Sequence, residues 1–153
     1  MKVLVIPDVH LKPWIIERAS ELLDGNAADR AVCLMDIADE WRQEYNLPLY
    51  VETYDTAIRF AKDHPDTLWC LGNHEVCYKW NRKVPGNSKL APRTVCEKTQ
   101  ELRDSLPDKG QVAYLQRIDS VIFSHGGLAV LYYYRRFRYA GHIKNIFCVY
   151  IFN

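Results

Sequence analysis

A chain of 153 residues with 48% hydrophobic and 25% charged side chains has the length and composition of one globular domain with a sizeable core, which excludes a disordered chain. Twenty Lys and Arg against nineteen Asp and Glu leave a formal charge of +1, so no global positive field calls for nucleic acid or an anionic membrane as partner. Cys33, Cys70, Cys77, Cys96 and Cys148 are an odd set without a C-x-x-C pair, which argues against a disulfide framework or a cysteine zinc site and makes reduced, cytoplasmic thiols the expectation.

The amino terminus, KVLVI from Lys2 to Ile6, reads as a strand, and Pro7 and Asp8 end the apolar run too early for a secretion signal. In the next segment, PWIIERASELLDG, Ile15, Ile16, Ala19, Leu22 and Leu23 share one helical face and Gly25 can end the helix. The unit repeats with a strand over Arg30 to Met35 and a helix in TYDTAIRFAKD, where Tyr54, Ala57, Ile58 and Ala61 recur at helical spacing. A third apolar run, TLWCL, precedes a polar loop from Tyr78 to Pro92 with Pro85-Gly86-Asn87 as turn residues. A helix from about Arg93, with Val95, Thr99, Leu102 and Leu106 on one face, is closed by Pro107. QVAYLQRIDSVIFSHGG then holds two apolar runs joined at Asp119-Ser120, a hairpin pattern. Parallel crossovers followed by a hairpin indicate an α/β sheet with an antiparallel addition.

Each apolar run is followed by ligand-type residues. VLVIP leads to Asp8-Val9-His10, AVCLM to Asp36-Ile37-Ala38-Asp39, LWCL to Gly72-Asn73-His74-Glu75, and SVIFS to His125-Gly126-Gly127. Beyond the carboxyl ends of strands in an open α/β sheet, side chains far apart in sequence converge. Carboxylate, imidazole and amide oxygen suit a hard or borderline divalent cation such as Mn²⁺, Fe²⁺ or Zn²⁺, and several such ligands suggest a pair of ions. Each piece also has a plain structural reading: a capping Asp in a turn, a hydrogen-bonded histidine, two Asp opening a helix, a Gly-Asn turn. All of these would have to hold together at four strand ends.

In residue types, order and spacing, the chain resembles the calcineurin-like metallophosphoesterase superfamily. That family's pattern runs D-x-H, G-D-x-x-D, G-N-H-D or G-N-H-E, a His, and G-H-x-H near the end. The match is Asp8/His10, Asp36/Asp39, Gly72-Asn73-His74-Glu75 and His125, covering the chain from its start to about Leu128. The resemblance implies an α/β fold, a sandwich of two mixed β-sheets flanked by helices with a two-metal site at its edge. The domain would span residues 1–128 and the tail residues 129–153.

Carried over residue by residue, Asp8 and His10 would hold the first metal, Asp36 would bridge both, and Asn73 and His125 would hold the second. His74 would face the phosphoryl group as general acid or charge stabiliser, oriented by Asp39. The cofactors implied are two divalent ions, Mn²⁺ first, with Fe²⁺/Fe³⁺ or Zn²⁺ as alternatives. The reaction implied is in-line attack on a phosphomonoester or phosphodiester by a hydroxide that the metals make available at neutral pH.

Three departures from the family pattern stand out. Met35 replaces the Gly before the bridging Asp, which suggests a different loop conformation. Glu40-Trp41 stands where many members have Arg, so the substrate phosphate needs another cation; Arg82 is the candidate, against the reading that Arg82, Lys79 and Lys83 only solvate a surface loop. The terminal G-H-x-H is reduced to Gly141-His142-Ile143-Lys144. His142 is either a remnant ligand or an exposed residue in a turn between two tail strands.

The tail from Ala129 to Asn153 has no acidic residue and is dense in Tyr, Phe and Arg. It can complete the second sheet, or the family sequence stops soon after His125 and the remainder follows from a truncation or a change of reading frame. Tyr132, Tyr133, Tyr134 and Phe137 among Arg135, Arg136 and Arg138 also invite a nucleic-acid reading, with a one-faced aromatic strand as the plainer account. The stretch IFCVYIF is far shorter than the roughly 20 residues of a spanning helix, so no membrane role is expected. Two functions follow: metal-dependent phosphoester hydrolysis, or a catalytically impaired phosphoesterase-fold domain serving as a binding or scaffold module. Loops Trp41 to Leu49 and Val76 to Pro92 are the places expected to set specificity.

Overall fold

The computed structural model describes residues 1–82 and 85–126, together with the backbone of 145–146. Strands β1 (Val3–Ile6), β2 (Arg30–Cys33), β3 (Leu68–Cys70) and β4 (Val112–Ala113) form one sheet in that order, parallel throughout. Helix α1 (Pro13–Asp24) connects β1 to β2 and α2 (Leu47–Asp63) connects β2 to β3, while α3 (Asn73–Lys79) and α4 (Pro92–Asp104) lie between β3 and β4. The second sheet joins β5 (Leu115–Ile118) and β6 (Val121–Ser124) as an antiparallel hairpin, with β7 (Asn145–Ile146) parallel to β6. The hairpin turn falls at Asp119-Ser120 as expected, with Asp119 at φ 52°.

Two layers follow from the alternation of side chains along each strand. Ile6, Ala31, Cys33, Trp69 and Val112 point to one face and pack with Ile16, Ala19, Tyr54, Ala57, Phe60, Val95 and Leu102 of the helices. The intervening residues Val32, Leu68 and Cys70 point the other way and meet Ile118 and Phe123 of the hairpin. The parallel sheet is thus covered on both faces, which is why its strands read as continuous apolar runs. Each large side chain so buried contributes about 1.5–3 kcal/mol relative to exposure.

The helices differ from their expected bounds in two places. Helix α2 begins at Leu47 rather than Thr53, because Pro48 sits in the first turn, where a missing N–H costs nothing, and Tyr50 and Thr53 extend the buried face. The segment between the third strand and the loop expected over Tyr78 to Pro92, with the first two residues of that loop, forms α3, so Asn73, His74 and Glu75 make a helical first turn. Asp36 and Asp39, by contrast, open no helix. They lie in an irregular loop.

Cys33, Cys70, Cys77 and Cys96 form no disulfide. Among the described residues no helix is long and apolar enough to cross a membrane. The aromatic tail segments, Gly141 and His142 lie outside the described residues, as do Lys83 and Val84.

Candidate metal centre

The loops after β1 and β2 continue the sheet ladder past the strands themselves. Leu34 N–H donates to Ile6 O, Val9 N–H to Met35 O, His10 N–H to Asp36 O and Leu11 N–H to Ile37 O, at 2.7–3.1 Å. These bonds hold an unusual backbone: His10, Leu11, Met35, Asp36 and Asp39 all have φ between 41° and 64°. Each such residue costs about 1–2 kcal/mol relative to the right-handed region, and the clustering of strain at one place marks a functional loop pair. Met35 stands in a left-handed conformation, φ 57°, that glycine reaches without a Cβ penalty, and its side chain is fully buried.

Asp36 stands at the centre, 2% exposed. Its Oδ1 accepts the His74 N–H at 2.9 Å, so the first turn of α3 fixes the carboxylate. Its Oδ2 lies 3.1 Å from His125 Nε2 and 3.9 Å from His10 Nε2. Asp8 Oδ1 is 3.5 Å from His125 Nδ1, and Asn73 Oδ1 is 2.8 Å from His125 Nε2. Two ligand-type triads result, Asp8/Asp36/His125 and His10/Asp36/His74, sharing Asp36, with their donor atoms within 4.8 Å of one another.

The imidazoles are oriented by their far nitrogens. His10 Nδ1–H donates to Asp39 O at 2.8 Å and His125 Nδ1–H to Leu34 O at 2.9 Å, which leaves Nε2 of each aimed at Asp36. In a neutral His125 that Nε2 carries a lone pair facing two oxygens, those of Asp36 and Asn73. Such an arrangement calls for a positive species between them. The titration of the cluster agrees. Burial would lower the His125 pKa, yet the hydrogen bond and charge of Asp36 and the charge of Asp8 raise it to about 9. The Asp8 pKa is raised by burial and by Asp36, with His125 opposing. The oxygen-and-imidazole donor set suits a divalent cation such as Mn²⁺, Fe²⁺ or Zn²⁺.

His74 is built differently. Its Nδ1–H donates to Asp39 Oδ2 at 2.7 Å, leaving Nε2 for a substrate. Asp39, 2% exposed, takes three more donors on Oδ1: Tyr50 Oη at 2.5 Å, Tyr78 Oη at 2.7 Å and Ser88 N at 3.2 Å. Burial works to raise the Asp39 pKa, but the bonds from His74, Tyr50 and Tyr78 outweigh it and hold the carboxyl below its usual range. For His74 burial works downward, and Asp39 and Asp36 more than offset it, so its pKa is raised. Both shifts favour the imidazolium–carboxylate form of the pair.

Glu75 faces away from the centre and braces it. Its Oε1 accepts the N–H groups of Ile37 and Ala38 at 2.8 and 3.2 Å and the Tyr54 hydroxyl at 3.0 Å. Its pKa is raised by burial and by Asp36. Sequence reasoning named Glu75 within the Gly72-Asn73-His74-Glu75 motif without giving it this role, and did not find Tyr50, Tyr78 or Ser88. Helical spacing of Glu75 and Tyr78 along α3 was the available signal, hidden by reading that stretch as loop.

A cleft floored by His10, His74 and Asp39 and walled by Glu40, Trp41, Pro85 and Gly86 opens beside the centre. Arg82 does not line it. The exposed Arg82 lines a separate cleft with Tyr78, Ser88 and Lys89, because α3 carries the chain to the far side of Tyr78.

No curated protein and no solved structure matches the chain. The family model for calcineurin-like phosphoesterases matches residues 1–150, and its D-x-H, D-x-x-D and G-N-H-E elements are the loops that surround Asp36 here. By that match over nearly its whole length, the chain belongs to the calcineurin-like phosphoesterase family.

Proposed function

We propose that this chain hydrolyses a phosphomonoester or phosphodiester with two divalent cations held by Asp8, His10, Asp36, Asn73 and His125, Asp36 being shared. The observation that carries the proposal is the aim of His10 Nε2 and His125 Nε2 at one buried carboxylate, with each Nδ1–H committed to a backbone carbonyl. When bound, the cations supply a water acidic enough to attack at neutral pH and positive charge to offset that building on the phosphoryl oxygens.

The rest of the chemistry belongs to side chains of the chain itself. His74 presents Nε2–H to the scissile ester and gives its proton to the departing oxygen, while Nδ1–H stays on Asp39. Tyr50, Tyr78 and the Ser88 N–H keep Asp39 anionic and fixed, so the imidazolium does not lose its proton to its partner. Glu75 holds the Ile37 and Ala38 amides and with them the position of Asp36. The cysteine pattern supports a reducing, cytoplasmic setting for this activity.

The test is turnover of 4-nitrophenyl phosphate and bis(4-nitrophenyl) phosphate by the chelator-stripped protein. Activity is expected to be absent after stripping, to return with Mn²⁺, and to fall roughly 100-fold or more in His74→Asn with metal content unchanged. A folded, Mn²⁺-loaded protein that turns over neither ester contradicts the proposal and favours the binding-module reading.

A further inference from the structure

The wall of the catalytic cleft carries an exposed indole that the chemistry above does not use. Trp41 is 68% exposed, although it directly follows the buried Asp39 and the half-buried Glu40. Its position is nevertheless built. Glu40 Oε1 accepts the Trp41 N–H at 2.9 Å, and the other Glu40 oxygen is held by the Lys12 ammonium. The neighbouring residue turns the chain sharply, Arg42 having φ 68° and Gln43 N–H donating back to Glu40 O at 3.0 Å. Gly86 lies across from the far edge of the ring, where an added Cβ would come within 3.9 and 4.0 Å of two indole carbons. The indole is thus fixed at its backbone, with most of its surface left bare beside His10 and His74.

Among the described residues no Lys or Arg side chain lines this cleft. Lys12 is committed to Glu40, and Arg82 lies in another cleft. The described residue of this cleft best placed to bind the non-reacting part of a substrate is the exposed indole of Trp41. A bare aromatic face can pack on the C–H face of a sugar or on an alkyl chain, but a planar π-system overlaps it most fully.

We propose that the phosphoester taken by this site carries a planar aromatic ring on its alcohol side, and that Trp41 stacks on that ring while the phosphate occupies the metal centre. This rests on the phosphoesterase reading above. The ring can belong to a nucleobase or to an aryl group, the stacking chemistry being the same, so two matched pairs of esters separate the sources. AMP and ribose 5-phosphate share one leaving alkoxide and differ in the base. Benzyl phosphate and cyclohexylmethyl phosphate differ in planarity at similar leaving-group acidity.

The experiment measures kcat/KM for all four esters with the full chain and Mn²⁺, for wild type, Trp41→Phe and Trp41→Ala. Wild type is expected to favour at least one planar member over its partner by roughly 5- to 100-fold, the range that one stacked ring provides. Trp41→Ala is expected to bring that ratio near unity by raising KM for the planar ester more than for its partner, and Trp41→Phe to keep most of it. A preference in the AMP pair alone identifies a nucleobase, and in the benzyl pair alone an aryl group. Equal kcat/KM within both pairs for wild type overturns the stacking proposal and leaves the phosphoesterase standing. So does a preference that Trp41→Ala leaves intact. Failure to hydrolyse any of the four by a protein that does hydrolyse bis(4-nitrophenyl) phosphate overturns the stacking proposal alone, and failure on that diester and on 4-nitrophenyl phosphate as well overturns both. The wild-type ratios decide the matter even if an alanine variant fails to fold.

Discussion

Gly72 lies so close to Asp36 that a Cβ built on it would sit 2.0 Å from Asp36 Oδ1 and 2.5 Å from the Asp36 nitrogen. Its backbone, at φ −78° and ψ 167°, is one that any residue adopts, so the glycine is required by space alone. Only without a side chain there can the Asp36 carboxylate reach the His74 N–H. Gly72→Ala is therefore expected to displace the central carboxylate. Mn²⁺ affinity should fall at least tenfold, alongside a loss of about 1–3 kcal/mol in stability typical of overpacking. Calorimetry and denaturant unfolding of the same variant check both.

The Asp39–His74 pair gives the metal-free protein a pH signature. Asp39 has its pKa lowered from 3.8, so its contribution is present above that value and is lost as pH falls through the lower folded value. His74 has its pKa raised from 6.5, so its contribution is complete below that value and is lost as pH rises through the higher folded value. The stability difference between wild type and Asp39→Asn should be largest between 3.8 and 6.5 and should shrink on either side. Thermal midpoints across pH in excess chelator test this. In the loaded enzyme, the same substitution should move the alkaline limb of the kcat profile to lower pH, because His74 then loses its proton earlier.

Glu75 should behave as a brace whose charge is dispensable. Glu75→Gln keeps an acceptor for Ile37 N–H, Ala38 N–H and the Tyr54 hydroxyl, whereas Glu75→Ala strands all three. The Gln variant is expected within about 1 kcal/mol of wild type and the Ala variant at least about 3 kcal/mol below it, since three buried donors are orphaned at about 1–3 kcal/mol each. Urea unfolding distinguishes them. A Gln variant as damaged as Ala would show that the charge itself is needed.

Met35 offers a test of the strained loop. Replacing it by Gly relieves the φ of 57° but loses a fully buried side chain. Replacing it by Ala loses the packing and keeps the strain. The expected stability order is wild type, then Gly, then Ala, with Gly above Ala by about 1 kcal/mol. Ala equal to or better than Gly would contradict the left-handed assignment.

Much of the fold was legible because it rests on local patterns. Apolar runs marked β1, β2, β3 and the hairpin, and helical spacing marked α1 and α4. The loops around Asp36 were legible for a different reason: Asp8, His10, Asp36, Asn73 and His125 are metal-type residues placed directly after strands, and topology then brings strand ends together. What escaped were partners without local period. Asp39 is held by Tyr50, Tyr78 and Ser88, which lie 11, 39 and 49 positions away. Glu75 reaches the Ile37 amide across 38 positions. A tyrosine on a buried helical face looks like any core residue until its hydroxyl is seen on a carboxylate. Helix α3 was missed because seven residues are too few to show a period, and Gly72-Asn73 is a good turn pair in its own right.

The most direct measurement is a calorimetric titration of the metal-free chain with Mn²⁺, for wild type beside Asp36→Asn. A centre built on one shared carboxylate predicts two ions per chain for wild type and the loss of both from the variant, with the fold kept. A single ion, or a variant that binds as wild type does, would contradict the shared role of Asp36 on which the whole account rests.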